Sequence, residues 1–136
     1  MKVVLDENAI MPTRAHEFDA GWDLYSRDTK VVHAGSFETF DVGVHIEIPQ
    51  GYVGFLKSKS GLNVRHNIVS EGVIDSGYTG SIVVKLYNHG KEDYQVMNGS
   101  KITQIVFLPI LTETLEQVGE LTTTERGDNG FGSSGN

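Results

Sequence analysis

The sequence contains no cysteine, so neither a disulfide framework nor a thiolate metal site can form. Zinc would need histidine and carboxylate ligands, yet the histidines show no H-x-x-x-H or similar spacing. We interpret all five as surface or satisfied core residues: His16, His33, His45, His66 and His89. The lack of cysteine is compatible with an intracellular, cytoplasmic location, which we therefore expect.

Long apolar segments are missing as well. The first residues, KVVLDENAIMP, contain no basic region followed by an apolar run. The most apolar stretch, IVFLPIL, is short and is interrupted by Pro109. We therefore expect neither a signal peptide nor a membrane partner.

Positive charge is scarce in this chain. Lys and Arg number 11 against 18 Asp and Glu, which gives a formal net charge of -7. The overall field repels polyanions, so we expect no nucleic-acid partner. A small anion can still bind where local lysine or arginine, backbone N–H groups or a divalent cation outweigh the global charge.

Proline is rare and glycine is abundant, with 3 and 16 residues respectively, which is typical of short strands joined by tight turns. In VGVHIEIP, alternate residues from Val42 to Ile48 are apolar, the pattern of a half-buried strand. Further runs rich in Val and Ile are separated by turn sequences such as SGYTG and MNGS. The 136 residues therefore predict one all-β domain, an antiparallel barrel or sandwich.

Two segments carry weak helical signals. Residues 61–68 have room for a helix of one or two turns. Leu111, Leu115 and Val118 have helical spacing but lie among threonines, which are poor helix formers. We predict a strand for this second segment.

Two short segments in the first half combine polar side chains with strand ends. In AGWDLYS, Asp23 lies between two apolar residues and either points away from them or fixes a turn. In KSKSGL, Ser60 and the N–H groups around Gly61 can cup a phosphate, especially if a helix begins there. The alternative for KSKSGL is a solvated loop with scattered lysines.

The segment GVIDSGYTG predicts a hairpin with a tight turn after Asp75. Its backbone can present donors and acceptors to a base edge, and Asp75 can serve as a general base. The alternative is an Asx-turn hairpin in which Tyr78 packs across the strands.

The C-terminal RGDNGFGSSGN combines glycines with an arginine, serines and one phenylalanine. Arg126 offers a planar fork for phosphate oxygens, and Phe131 offers a face for stacking. The alternatives are a disordered end or an expression scar.

Taken in order, AGWDLYS, KSGL, GVIDSGYTG, NGSKITQ and RGDNGFGSSG resemble the five motifs of the trimeric dUTP diphosphatases, or dUTPases. The resemblance covers nearly the whole chain. It implies a jelly-roll-like β domain over residues 1–124 and a flexible arm over residues 125–136 that closes over an active site. It further implies a homotrimer with shared active sites and Mg²⁺-dependent hydrolysis of dUTP to dUMP and pyrophosphate.

The resemblance also implies roles for individual residues. Asp75 matches the general base that activates the water attacking the α-phosphorus, and Tyr78 matches the residue packed under the deoxyribose. Backbone atoms of three residues before Asp75 would line the uracil edge: Gly72, Val73 and Ile74. Asp23 matches an acidic residue that touches Mg²⁺ through water only.

The remaining matches concern the triphosphate. Ser60 and Gly61 match a phosphate-cradling pair, next to the positive charge of Lys59, and Gln104 matches a glutamine near the phosphates. Arg126 matches an arginine that reaches the γ-phosphate. The other arm residues would stack on uracil or bind phosphate: Phe131, Gly132, Ser133 and Ser134.

The chain departs from the family pattern in several places. Lys59 and Lys101 stand where arginine is usual, so we expect retained activity with looser phosphate contacts. The other departures concern packing or the hairpin: Trp22, Val69, Glu71 and Gly77. Two alternatives remain open, a dCTP deaminase-related enzyme and a regulatory role in which the fold binds a protein partner.

Overall fold

The structure is a computed structural model, and it describes residues 1–130 of the chain. The predicted roles of Phe131, Gly132, Ser133 and Ser134 lie outside the described residues. Within the described part, no helix is long and apolar enough to cross a membrane.

Residues 1–130 form short strands and a single short helix. In chain order they are β1 (Lys2–Leu5), β2 (Gly21–Tyr25), β3 (Lys30–Val32), β4 (Phe37–Asp41), β5 (Val44–Glu47), β6 (Tyr52–Lys57), α1 (Ser60–His66), β7 (Ile68–Val69), β8 (Glu71–Asp75), β9 (Val83–Asn88), β10 (Tyr94–Val96) and β11 (Lys101–Pro109).

All strand pairs are antiparallel. The largest sheet has the order β2-β11-β6-β8, a second has the order β4-β9-β7, and β1 pairs with β5 while β10 pairs with β3. The prediction of an all-β, jelly-roll-like fold is confirmed.

One core lies between these sheets. The alternation predicted for VGVHIEIP is confirmed, because Val42, Val44, Ile46 and Ile48 are all buried. Apolar side chains from the other sheets complete the core, and the largest are Phe40, Leu24, Leu56, Ile68, Ile82, Leu86, Ile102 and Ile105. Removing this apolar surface from water stabilises the fold.

The predicted hairpin at GVIDSGYTG is wrong in its second strand. β8 ends in a turn closed by a 3.0 Å hydrogen bond from the Tyr78 N–H to the Asp75 carbonyl. The chain then leaves this sheet: Ile82 is buried and exchanges backbone hydrogen bonds with Val42 and with Val44 at the start of β5. The antiparallel partner of β8 is β6.

The helix expected within residues 61–68 is confirmed by α1, which ends at Asn67 in the left-handed conformation with φ 55°. The strand predicted around Leu111, Leu115 and Val118 is wrong, since no strand follows β11 within the described residues. Leu115 is 98% exposed. Within a single copy of the chain, no described sheet covers these apolar side chains.

Candidate active site

Asp23 lies in the middle of β2 with its side chain buried. Lys101 Nζ lies 2.8 Å from Asp23 Oδ2, and Lys59 donates to Asp23 Oδ1. Burial alone would raise the pKa of Asp23, but hydrogen bonds and charge from Lys101 and Lys59 hold this pKa below its ordinary value. Asp23 in turn raises the pKa of Lys101. The carboxylate therefore faces two cations, as an ionised group.

Gln104 lies next to this carboxylate. It sits on β11 opposite Asp23 on one side and Lys57 on the other, and its Nε2 donates to the Ser58 carbonyl at 3.2 Å. A Cβ on Gly21 would lie 2.2 Å from Gln104 Oε1, so only glycine leaves room for this side chain. The hydrogen bond to Ser58 thus holds the Gln104 side chain, and the strand register places Gln104 opposite Asp23.

The start of α1 presents backbone N–H donors beside Lys59. Lys59 is the N-cap residue, and its side chain makes no cap hydrogen bond. The first backbone bond of the helix joins the Asn63 N–H to the Lys59 carbonyl at 2.9 Å, so the N–H groups before Asn63 have no partner within the helix. A Cβ on Gly61 would meet no atom within 4 Å, so the space in front of this turn is open.

These groups form one cluster at one end of the largest sheet. We call it the Asp23 cluster, and its members are Asp23, Lys59, Ser60, Gly61, Lys101 and Gln104. It combines positive charge, an amide and free backbone donors, which suits phosphate oxygens.

A second group of predicted residues surrounds Asp75. β8 is an edge strand of its sheet, and Asp75 is its exposed last residue. Together with Val73, Ile74, Tyr78 and Val83, it lines a shallow cavity of about 220 Å³. The structure thus brings together the predicted base, the predicted sugar-contacting tyrosine and the backbone predicted to line the uracil edge.

Tyr78 is held over the turn that follows β8. Its hydroxyl donates to the Ser81 carbonyl at 2.7 Å. A Cβ on Gly80 would lie 2.6 Å from the Tyr78 hydroxyl oxygen, so this ring position requires glycine at residue 80. The tyrosine is therefore fixed by its neighbours, and it does not pack across a hairpin.

The two groups lie at opposite ends of the β6–β8 ladder. Glu71 pairs with Lys57, close to the Asp23 cluster, whereas Asp75 pairs with Val53. The four steps from residue 71 to residue 75 span about 13 Å of strand at about 3.3 Å per residue. A single copy of the chain therefore does not place Asp75 beside the Asp23 cluster.

Arg126 lies in an exposed turn. Its Nε donates to the Asn129 carbonyl at 3.0 Å, and the Asn129 N–H donates to the Arg126 carbonyl at 3.0 Å. The hydrogen bonds described for Arg126 are therefore local. Within one copy, the structure brings it to neither group.

The sequence did not identify every residue of the Asp23 cluster. Lys101 stood out only as a departure from a family pattern, and the need for glycine at residue 21 was not predicted. An isolated glycine in a strand indicates close approach of another group, and this signal was available for Gly21. The pairing of Lys101 with Asp23 depends on sheet register, which the sequence alone does not specify.

Residues 7–135 match the family model described as dUTPase. The chain belongs to the dUTPase family. It is 42% identical over 134 residues to a deoxyuridine 5'-triphosphate nucleotidohydrolase of Clostridium acetobutylicum, covering 96% of this chain and 92% of that protein. A protein of the same name from Trichodesmium erythraeum is also 42% identical, with 96% and 94% covered.

Solved dUTPase structures have the same fold. The Staphylococcus bacteriophage 80alpha dUTPase with dUPNHPP has a TM-score of 0.92 and 34% identity, covering 98% of this chain and 97% of that chain. A mutant dUTPase of phage phi11 of S. aureus, described with a structural Mg(II) ion, has a TM-score of 0.81 and 33% identity, with 88% and 96% covered. These relatives favour a dUTPase over the dCTP deaminase-related alternative.

Proposed function

We propose that this dUTPase hydrolyses dUTP to dUMP and pyrophosphate at sites that different copies of the chain complete within a homotrimer. Hydrolysis of dUTP to dUMP follows from membership of the family. The composite site rests on one observation, the separation of Asp75 from the Asp23 cluster along the β6–β8 ladder. A general base must lie within hydrogen-bond reach of the water that it activates, next to the phosphorus atom. One copy alone does not meet this condition.

In this proposal, Asp75 accepts a proton from a water molecule as its oxygen bonds to the α-phosphorus. The bond from the α-phosphorus to the bridging oxygen breaks, and pyrophosphate leaves with that oxygen. The carboxylate is exposed at the end of β8, where a water can reach it. Main-chain atoms of residues 72–74 contact the uracil edge, and Tyr78 packs under the sugar.

The Asp23 cluster of another copy binds the triphosphate. Lys59 and Lys101 supply positive charge, and the N–H groups of Ser60 and Gly61 donate to phosphate oxygens. Lysine contacts phosphate as a point charge without the fork of arginine, so each contact is looser. This local charge outweighs the net charge of -7. Arg126 and the arm residues after it close over the bound nucleotide.

Magnesium fits this site as part of the substrate. Within residues 1–130, no group of three His, Cys, Asp or Glu side chains could hold a metal ion directly. We therefore place the Mg²⁺ ion on phosphate oxygens and water molecules. Asp23 contacts the ion only through one of these waters. When bound, the ion neutralises negative charge on the phosphates.

Exposed apolar side chains after β11 support assembly of several copies. Leu111, Leu115 and Leu121 are each more than 80% exposed in the single chain. Large apolar side chains exposed in this way indicate contact with another protein surface. In a homotrimer, these side chains are covered by a neighbouring copy. The regulatory alternative and the cytoplasmic location both stay predictions from the sequence.

Substrate choice tests the proposed reaction. We expect pyrophosphate release with Mg²⁺ to be at least about 100-fold more efficient for dUTP than for dCTP, dTTP or UTP, because main-chain groups at the uracil edge and Tyr78 under the sugar discriminate against the wrong base and sugar. The measurement is kcat/KM for each nucleotide. Equal turnover of all four would contradict the proposal, and ammonia release from dCTP would point to the deaminase alternative.

A further inference from the structure

We propose that His45 is a positioning residue that sets the preference of the enzyme for deoxyribose, by holding the turn that carries Tyr78. We call residues 75–81 the Tyr78 turn. This inference rests on the proposed function, in which Tyr78 packs under the sugar. His45 itself touches neither substrate nor the reacting atoms.

His45 lies on β5 and joins two segments that no strand ladder connects. Its Nδ1 lies 2.8 Å from the carbonyl oxygen of Thr79, and its Nε2 lies 3.1 Å from Asp6 Oδ1. A carbonyl oxygen and an ionised carboxylate can only accept hydrogen bonds. Both ring nitrogens must therefore carry a proton, and the geometry corresponds to the cationic imidazolium.

Thr79 is the residue directly after Tyr78, in the part of the chain between β8 and β9. The Tyr78 turn has internal hydrogen bonds at both ends of Tyr78, one from its N–H to Asp75 and one from its hydroxyl to Ser81. Internal bonds fix the shape of the turn but not its position on the barrel. The ladder holds Asp75 at one end and backbone bonds hold Ile82 just past the other, and between them the bond from His45 to Thr79 and the bond from Ser81 to Asp41 attach the turn to the rest of the protein.

The surroundings of His45 favour its proton. The hydrogen bond to Thr79 raises the pKa of His45 most, partial burial opposes this, and hydrogen bonding and charge from Asp6, with charge from Asp41, raise it further. Arg27 is a cation that faces the same two carboxylates, 3.6 Å from Asp6 Oδ2 and 3.1 Å from Asp41 Oδ1.

The remaining charged groups near His45 belong to β1 and β5. Lys2 and Glu47 line the same cavity as His45 and pair with each other at 2.9 Å. Because Lys2 and Glu47 carry opposite charges and pair with each other, the pKa of His45 depends mainly on Thr79, Asp6 and Asp41.

The two hydrogen bonds of the His45 ring, to Thr79 and to Asp6, weaken as the pH rises. Because the folded pKa of His45 is raised, its contribution is complete below about pH 6.5, the ordinary value for histidine. As the pH rises through the raised pKa, one ring nitrogen loses its proton and one of the two hydrogen bonds is lost. In the neutral ring the single N–H is divided between the tautomer that faces Thr79 and the tautomer that faces Asp6, so the Tyr78 turn is held less firmly and discrimination against the ribose 2′-hydroxyl weakens.

The test compares His45→Ala and His45→Gln with the wild-type enzyme, using dUTP and UTP from pH 6 to 9. His45→Ala should lower the ratio of kcat/KM for dUTP to that for UTP by about tenfold, since loss of precise positioning reduces discrimination. His45→Gln retains an N–H donor that does not titrate, so it should restore much of the ratio and remove its pH dependence above pH 6.5.

His33→Ala is the matched control. His33 makes a comparable bond to Asp93 at 2.9 Å, in a part of the surface outside the proposed site. Its removal should leave the dUTP to UTP ratio unchanged, whereas a general loss of stability would reduce active enzyme for both substrates equally. If His45→Ala does not fold, the pH dependence of the dUTP to UTP ratio in His45→Gln tests the inference instead.

An unchanged ratio in His45→Ala, or the same pH profile in His45→Gln and wild type, would overturn the inference. Absence of dUTP hydrolysis by the wild-type enzyme would instead overturn the proposed function. The same assay therefore separates the two failures.

Discussion

Asp75→Asn should lower kcat for dUTP by about 100-fold to 10,000-fold, the range expected when a general base is removed. The amide keeps the size of the side chain but does not accept a proton from the attacking water. Asp75 is exposed at the end of β8, so the exchange leaves no buried charge unpaired and the fold should persist. Binding of a non-hydrolysable dUTP analogue, measured by calorimetry, should remain close to that of the wild type.

Asp28→Asn is the matched control for this variant. Asp28 is also exposed, and its nearest cation is Lys30 at 3.6 Å. The same chemical change at this position should leave kcat unaltered. A comparable loss of kcat in both variants, or full activity in Asp75→Asn, would contradict the role of Asp75.

Gly61→Asp should lower kcat/KM for dUTP by about 100-fold or more, because a like charge placed against a bound anion costs several kcal/mol. The added side chain enters open space, since a Cβ at this position meets nothing within 4 Å. An acidic residue in the first turn of a helix also interacts favourably with the helix dipole. The variant should therefore fold and fail mainly in binding the triphosphate.

Gly61→Asn separates charge from bulk at the same position. Asparagine has nearly the size of aspartate and no charge, so its loss in kcat/KM should be at most about tenfold. The measurement is steady-state kinetics of both variants at low and moderate salt. Equal losses in the two variants would indicate a steric effect, and an unchanged KM in Gly61→Asp would contradict the phosphate role of this turn.

Much of the fold could be predicted because local pattern and tertiary structure agree. The alternation from Val42 to Ile48 indicated a half-buried strand, and those side chains are buried. Gly61, the second residue of α1, lies in the short helix that its segment allowed. In the strand, the side chains that set the local pattern are the same ones that form the core.

The errors occurred where the partner of a segment is distant in the chain. β8 was expected to pair with the segment after its turn, but Ile82 in that segment is buried and forms its backbone hydrogen bonds with Val42 and Val44. The strand predicted near Leu115 lacks a partner within one copy. Local sequence carries little information about such long-range choices.

The candidate site was predicted from motifs, and the structure adds its arrangement. Asp23 and Gln104 lie together because β2 and β11 pair in a register that places them opposite each other. Asp75 lies at the other end of the β6–β8 ladder. No pattern within a single motif indicates this distance between groups.

Mixed trimers test most directly whether different copies complete each site. An equal mixture of Asp75→Asn and Gly61→Asp chains is unfolded and refolded together, and dUTP hydrolysis is compared with that of each variant alone. If a site takes Asp75 from one copy and Gly61 from a neighbour, random assembly leaves about one quarter of the sites intact, so about a quarter of wild-type activity should return. If both residues of a site belong to the same copy, every site keeps one defect. Activity no higher than that of the separate variants would therefore contradict the composite site.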